Sequence, residues 1–351
     1  MNQARRNSLR GLLCACGLVA LGTAGIWAGG AAAQSADDEP TPLKLKLKRS
    51  IDASDVKGGV AIKAQVEPTK YRRASRKEIA RPHSGAGQNS NSQGGNGGVA
   101  FYPGDLTYQG GPVVESAVSH NIYVNCDASC FGNPGVFLTR LGTSQFLHLA
   151  DQFVGTGGGH RYTMGQGGTI SYSVTPGTAL GPDDILTLVH VAASYFGSGY
   201  GHIYHIYFAP GIDVCADPGL TVCYSPDNFA TWYFCAFHSS VDFTDIGHAL
   251  YTVEPFQNVD GCAVGQPSPN GSLVDSQASV LSHEFFELIT DPDGDAWWNL
   301  YDLDLAGYEI GDECQNLTFV YPNVSISGHS YEVQPEYSNS AHGCTYRPSS
   351  D

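Results

Sequence analysis

The sequence predicts an α+β domain: a twisted mixed sheet with few helices, one of them a zincin-like active-site helix, stabilised by disulfides. Three observations predict it. Short apolar runs of strand length are punctuated by 43 Gly and 19 Pro. One longer apolar segment, residues 276–289, has helical spacing and carries ionisable side chains. Setting aside Cys14 and Cys16 near the N-terminus, eight of the ten cysteines remain, an even number that suits disulfide pairing in an exported chain.

Taken in order, the chain opens with Arg5, Arg6 and Arg10, an apolar run over residues 12–28 and the small residues Ala31-Ala32-Ala33. That is the layout of a secretory signal over residues 1–33, which predicts a secreted protein, extracellular or periplasmic. Arg5-Arg6 followed by Asn7-Ser8-Leu9 is an imperfect match to a twin-arginine signal. Residues 34–83 are basic: Leu43-Lys44-Leu45-Lys46-Leu47-Lys48-Arg49 alternates like an exposed strand, and residues 71–77 form a basic run. This segment reads as a propeptide or electrostatic latch, or as a plain spacer. Residues 84–98, rich in Gly, Ser, Asn and Gln, read as a flexible linker. Residues 99–351 are the domain.

Charge narrows the partners. Beyond residue 100 the only basic residues are Arg140, Arg161 and Arg347, whereas 27 of the 34 Asp and Glu lie there. Such a surface repels phosphates and excludes nucleic acid, while cations, structural calcium among them, suit it. No run beyond the signal reaches the roughly 20 apolar residues of a membrane span.

Within the domain, Asn121-Ile122-Tyr123-Val124 reads as a strand, and residues 143–153 as a helix capped by Thr143 or Ser144. Residues 185–191 fit a buried strand or a helix. Residues 203–208, 231–238 and 249–253 read as strands, the second placing His238 on one face with Trp232, Phe234 and Ala236. Cys126/Cys130 and Cys215/Cys223 are close enough to close local loops, and proximity alone pairs Cys235/Cys262 and Cys314/Cys344. No Cys-x-x-Cys supports a zinc knuckle.

The clearest helix is residues 276–289, capped by Asp275 or Ser276 and closed off by Pro292. It is apolar around most of its axis yet carries His283, Glu284 and Glu287, and buried ionisable groups are costly unless paired or bound to a cation. His283 and Glu287, one turn apart, share a face in a His-Glu-x-x-Glu arrangement, the second histidine of the zinc motif replaced by glutamate. A third ligand is sought in Glu309-Ile310-Gly311-Asp312: either Glu309 or Asp312 ligates while the other supports it. Glu284 is then the general base that takes a proton from water. His238 is a further ligand or a transition-state hydrogen-bond donor, or a satisfied core histidine; His202 and His205, on opposite strand faces, are structural. Zinc is the expected metal. The alternating aspartates from Asp291 to Asp295 and at Asp302 and Asp304 suggest calcium, although Ala296 breaks the EF-hand pattern at its glycine position. Trp297-Trp298 would wall a substrate cleft or pack in the core. No Gly-x-Ser-x-Gly elbow, P-loop or GxGxxG fingerprint is present.

Several of these residues resemble the phosphate-induced protein (EXORDIUM-like) family of plant cell walls and secreted bacterial homologues. The matching pieces are Gly110-Gly111-Pro112-Val113, the tyrosine-rich strand at 203–208 leading to Pro210-Gly211-Ile212-Asp213-Val214-Cys215, and Cys235-Ala236-Phe237-His238. Ser282-His283-Glu284 through Glu287, Thr290-Asp291-Pro292, Ala296-Trp297 and Glu309-Ile310-Gly311-Asp312 with Cys314 complete them. The resemblance spans about residues 108–345 and implies a link to cell-wall growth without an agreed activity.

The leading expectation is a secreted metal-dependent hydrolase, a zincin-like peptidase acting on peptide or cell-wall polymer. The alternative is a non-catalytic extracellular protein with a structural ion. A glycosidase using paired carboxylates is the third. The oligomeric state is not legible.

Overall fold

The computed structural model describes residues 65–66, 102, 104–156, 161–265, 268–301, 307–315 and 323–348. Contacts divide the chain into residues 1–39 and residues 40–351, and everything described belongs to the second unit. The signal, the linker and all of the basic segment except Gln65–Val66 lie outside the described residues. Among the described residues, no helix is long and apolar enough to cross a membrane.

The first half of the chain runs β1 (Gln65–Val66), β2 (Thr107–Tyr108), β3 (Ala117–Val124), α1 (Pro134–Leu141), α2 (Asp151–Val154), β4 (Tyr162–Met164), β5 (Gly168–Tyr172) and α3 (Pro182–Phe196). The second half runs β6 (His202–Phe208), β7 (Val214–Cys215), β8 (Cys223–Tyr224), β9 (Phe237–Phe243), β10 (Gly247–Glu254), α4 (Ser272–Thr290), β11 (Trp297–Trp298), β12 (Asn323–Ile326), β13 (His329–Glu332), β14 (Glu336–Ser338) and β15 (Gly343–Thr345). The architecture is α+β around a mixed sheet ordered β1-β5-β3-β6-β10-β9, with β4 also paired to β3. All pairings in it are parallel except β9 on β10, which is antiparallel and closes one edge.

Strand parity divides the interior into two cores. In β6, Tyr204, Ile206 and Phe208 enter one core with α3, while Ile203 and Tyr207 enter the other with α1 and α4. Residues 185–191 are helical because they belong to α3, which starts at Pro182. Asp184 Oδ2 accepts from the Gly181 N–H at 2.9 Å, and Asp183 and Asp184 complement the helix dipole in the first turn. The run at 143–153 turns helical only from Leu147, whose N–H donates to Ser144 Oγ at 3.2 Å.

Two expectations need correction. The helix expected at 276–289 starts at Ser272, so Asp275 does not cap it. That carboxylate is buried inside the first turn and accepts from Asn270 N at 2.9 Å and Asn270 Nδ2 at 2.8 Å. The strand expected at 231–238 starts only at Phe237. Upstream, Thr231 and Tyr233 pair with Cys223, and Cys235 is held by Gln257 Nε2 on its carbonyl. Phe234 therefore packs in the α3-side core, and the alternation carried from it does not set the face of His238. The four cysteine pairs, 126–130, 215–223, 235–262 and 314–344, all stand at disulfide distance, as sequence proximity predicts.

Candidate metal centre

Pleat and helix geometry assemble the centre between the sheet and α4. In β9 Phe237 enters the α3-side core, so His238 turns to the α4 side; in β10 Val253 does the same, and Glu254 follows toward α4. From α4 come His283, Glu284 and Glu287. The 3₁₀ turn Asp312–Cys314 brings Asp312, with Glu309 just before it, and β14 brings Glu336. None of these eight residues is more than 5% exposed.

The donors form two groups that share one residue. His238 Nδ1 lies 3.5 Å from Oε2 of Glu284 and 3.5 Å from Oε2 of Glu287. His283 Nε2 lies 3.1 Å from Oε1 of Glu287 and 3.8 Å from Oδ1 of Asp312. Within each group, one ligand atom from each residue lies within 4.8 Å of the others. Ligand atoms arranged tetrahedrally about 2.0–2.3 Å from a zinc ion stand about 3.3–3.8 Å apart, so these separations need only slight closure. Of the two candidate third ligands, Asp312 completes the His283 group, whereas Glu309 Oε2 faces His238 Nε2 at 3.8 Å.

The protonation geometry bears on what fits between them. His238 Nε2 lies 3.3 Å from the Asp291 carbonyl oxygen, an acceptor that takes the ring proton on that nitrogen. Nδ1 then presents a lone pair to two carboxylate oxygens, an arrangement that requires a cation or a further proton between them. At 3.5 Å the pairs are longer than ordinary hydrogen bonds. His238 Nδ1, His283 Nε2 and both oxygens of Glu284 are buried without a hydrogen-bond partner. Among the described residues, basic side chains do not relieve the charge: Arg140 bonds Tyr331, Arg161 bonds Asp151, and Arg347 is exposed. On the chemistry of its donors, the centre fits a divalent ion.

Without an ion, the electrostatics are strongly perturbed. Burial alone would keep His238 neutral, but the Glu284 and Glu287 carboxylates outweigh it and push its pKa up to about 10. His283 is likewise raised against burial, chiefly by Glu287. Burial would raise Glu287, yet His283 and His238 hold it down to about 2. Glu284 stays raised because burial outweighs its two histidines. Burial also lifts Glu254 and Glu336 well above the carboxylate range; Glu254 feels Glu284, and Glu336 feels His283, Glu287, Glu284 and Asp312.

Supporting contacts fix the His283 side. The Asp312 N–H donates to Glu287 Oε1 at 3.0 Å, and Gln315 Nε2 donates to Asp312 Oδ1 at 2.5 Å. Gln334 Nε2 donates to the Gly311 carbonyl at 2.7 Å and lies 2.9 Å from His283 Nδ1. As placed, this amide donates to Nδ1, which leaves the ring proton on Nε2 facing Glu287; ligation through Nε2 would require that proton to leave. Gly311 is required by close approach: a Cβ there would stand 2.5 Å from His283 Nδ1.

Sequence reasoning missed Glu254, Glu336 and Gln334. Glu254 ends an apolar strand, and its parity with Val253 was the available signal. Glu336 offered only the shortage of basic partners. Elsewhere, Asp291 Oδ1 accepts from Ala296 N at 2.6 Å, and Asp293 Oδ1 accepts from Ser240 Oγ at 2.5 Å while facing His248 at 3.2 Å. These two aspartates of the suspected calcium loop are thus engaged by protein groups, and Asp302 and Asp304 lie outside the described residues. Trp297 packs edge-on against Phe153. His205 bonds Thr252 Oγ1 at 2.9 Å, and His202 Nδ1 meets His120 Nε2 at 3.0 Å. Comparison with family models, with curated proteins and with solved structures returns no match for this chain.

Proposed function

We propose that this chain is an exported metal-dependent hydrolase of the zincin kind, a peptidase whose ion is held by His283, Glu287 and Asp312, with Glu284 as general base. The observation that carries this reading is Glu284 itself: a buried carboxylate with no hydrogen-bond partner, set on α4 in the His238 group, which shares Glu287 with the His283 group. Its affinity for protons is raised by burial, which suits a base working near neutral pH. A divalent ion supplies Lewis-acid activation of water and of the scissile carbonyl. The protein's own part is to hold Glu284 beside that position, to orient His238 through the Asp291 carbonyl, and to exclude bulk water. The acidic domain and the EXORDIUM-like resemblance support an extracellular peptide or wall polymer as substrate.

A second reading, a non-catalytic protein with a structural ion, is favoured by the burial of every donor to 5% exposure or less. Metal analysis of the purified chain, with casein hydrolysis by wild type and Glu284→Gln, separates the two. The hydrolase retains metal in both proteins, loses activity to chelator, and loses about 10²–10⁴-fold in rate on substitution. Metal in both with hydrolysis by neither leaves the structural ion. No metal and no uptake from added zinc refutes both.

A further inference from the structure

We propose that the centre holds two divalent cations bridged by the Glu287 carboxylate, one on His238 Nδ1 with Glu284, the other on His283 Nε2 with Asp312. The inference rests on the metal-site reading above and goes beyond it, since that reading needs only one ion.

Three observations carry it. The first is the division of Glu287: Oε2 faces His238 at 3.5 Å and Oε1 faces His283 at 3.1 Å, so its two oxygens serve different histidines. A carboxylate in this pose is a μ-bridge, and ions it links stand about 3.5–4 Å apart in two-metal sites. The second is that each histidine presents a buried nitrogen without a hydrogen-bond partner, so each group is short of an electrophile. An ion in the His283 group alone leaves His238 Nδ1 facing two carboxylate oxygens at 3.5 Å, longer than an ordinary hydrogen bond.

The third is charge. Six carboxylates (Glu254, Glu284, Glu287, Glu309, Asp312 and Glu336) are buried around the two histidines, none more than 5% exposed. Glu336 also has both oxygens buried and without hydrogen-bond partners. Before any proton binds, a single divalent ion leaves four negative charges in the interior, and a second halves them. Buried charge at that density is costly unless compensated by protons or by cations. The donor class, one imidazole and two carboxylates per ion, suits zinc, manganese or iron rather than an all-oxygen calcium site. Glu284 ligates through Oε2 and keeps Oε1 for proton transfer.

The test uses the full chain, stripped by chelator and titrated with Mn²⁺, with bound metal counted after gel filtration and the bound ions examined by electron paramagnetic resonance. Two equivalents per chain with a spin-coupled spectrum are expected. His238→Gln and His283→Gln should each retain one equivalent with the spectrum of an isolated ion, and Glu287→Gln should weaken both sites by at least about tenfold. Circular dichroism checks that each variant is folded, and the wild-type spectrum decides the question without any variant. One equivalent, abolished by either histidine substitution, overturns the pair and leaves the single-ion hydrolase standing. Two equivalents without spin coupling overturn the bridge. No bound metal overturns the pair and the metal reading together.

Discussion

Replacing Gly311 by alanine should damage the centre through a single methyl group. Gly311 has φ −81° and ψ −42°, an ordinary helical conformation that alanine adopts without strain. Only space forbids the side chain: its Cβ would stand 2.5 Å from His283 Nδ1 and 2.8 Å from both Cε1 and Cγ. Ordinary contact is at about 3.5 Å, so the imidazole must retreat by about 1 Å from a ring otherwise braced by Gln334. Overpacking of this kind costs about 1–3 kcal/mol, and the stiffer unfolded chain returns about 0.4–1 kcal/mol. The net expectation is about 1–2 kcal/mol, or about 2–8 °C in melting temperature for a domain of this size. A displacement of about 1 Å is half a metal–nitrogen bond, so metal affinity should fall by about 10–100-fold. Thermal melts with and without chelator, alongside zinc titrations, measure both. Gly201→Ala is the control, since nothing lies within 4 Å of its Cβ position. Unchanged stability and affinity in Gly311→Ala would refute the steric argument. Lost stability with wild-type affinity would remove His283 from the ligand set.

Two further predictions concern stability. Burial depresses the pKa of His205 to about 3, so the folded protein binds fewer protons than the unfolded chain below about pH 6.5. Its contribution to stability is therefore lost as pH falls from about 6.5 toward 3, amounting to about 2 kcal/mol at pH 5. Urea midpoints of wild type and His205→Asn at pH 7 and pH 5 should show the gap between them narrowing by that amount, and a constant gap would contradict it. Asp275→Ala should cost about 2–4 kcal/mol, because it strands the Asn270 donors and the Glu332 N–H that the carboxylate accepts at 2.8–3.3 Å. A loss below about 0.5 kcal/mol in chemical unfolding would show that water replaces it.

How much was legible follows the range of the interactions. Strand and helix identity at 203–208, 249–253 and 276–289 was readable because periodicity and turn residues act within a few positions. The His283/Glu287 pair was readable for the same reason, since helical spacing alone sets it. The 231–238 run misled because its apolar alternation is met by a turn pairing around Cys223 and by Gln257, contacts that alternation does not encode. Helix α4 began early because Asp275, a good cap in isolation, is instead consumed by Asn270 and Glu332.

The sequence by itself determined the inventory: an acidic domain with three basic residues, eight cysteines and a helix bearing His283, Glu284 and Glu287. Only the tertiary structure decided the partners. It put His238 on the α4 side, Asp312 beside His283, Glu309 beside His238, and Glu254 and Glu336 into the same interior. These residues come from segments up to about a hundred positions apart, joined by sheet register and by the packing of α4 against it. No local pattern records that distance, so which oxygen of Glu287 meets which histidine became visible only in the fold.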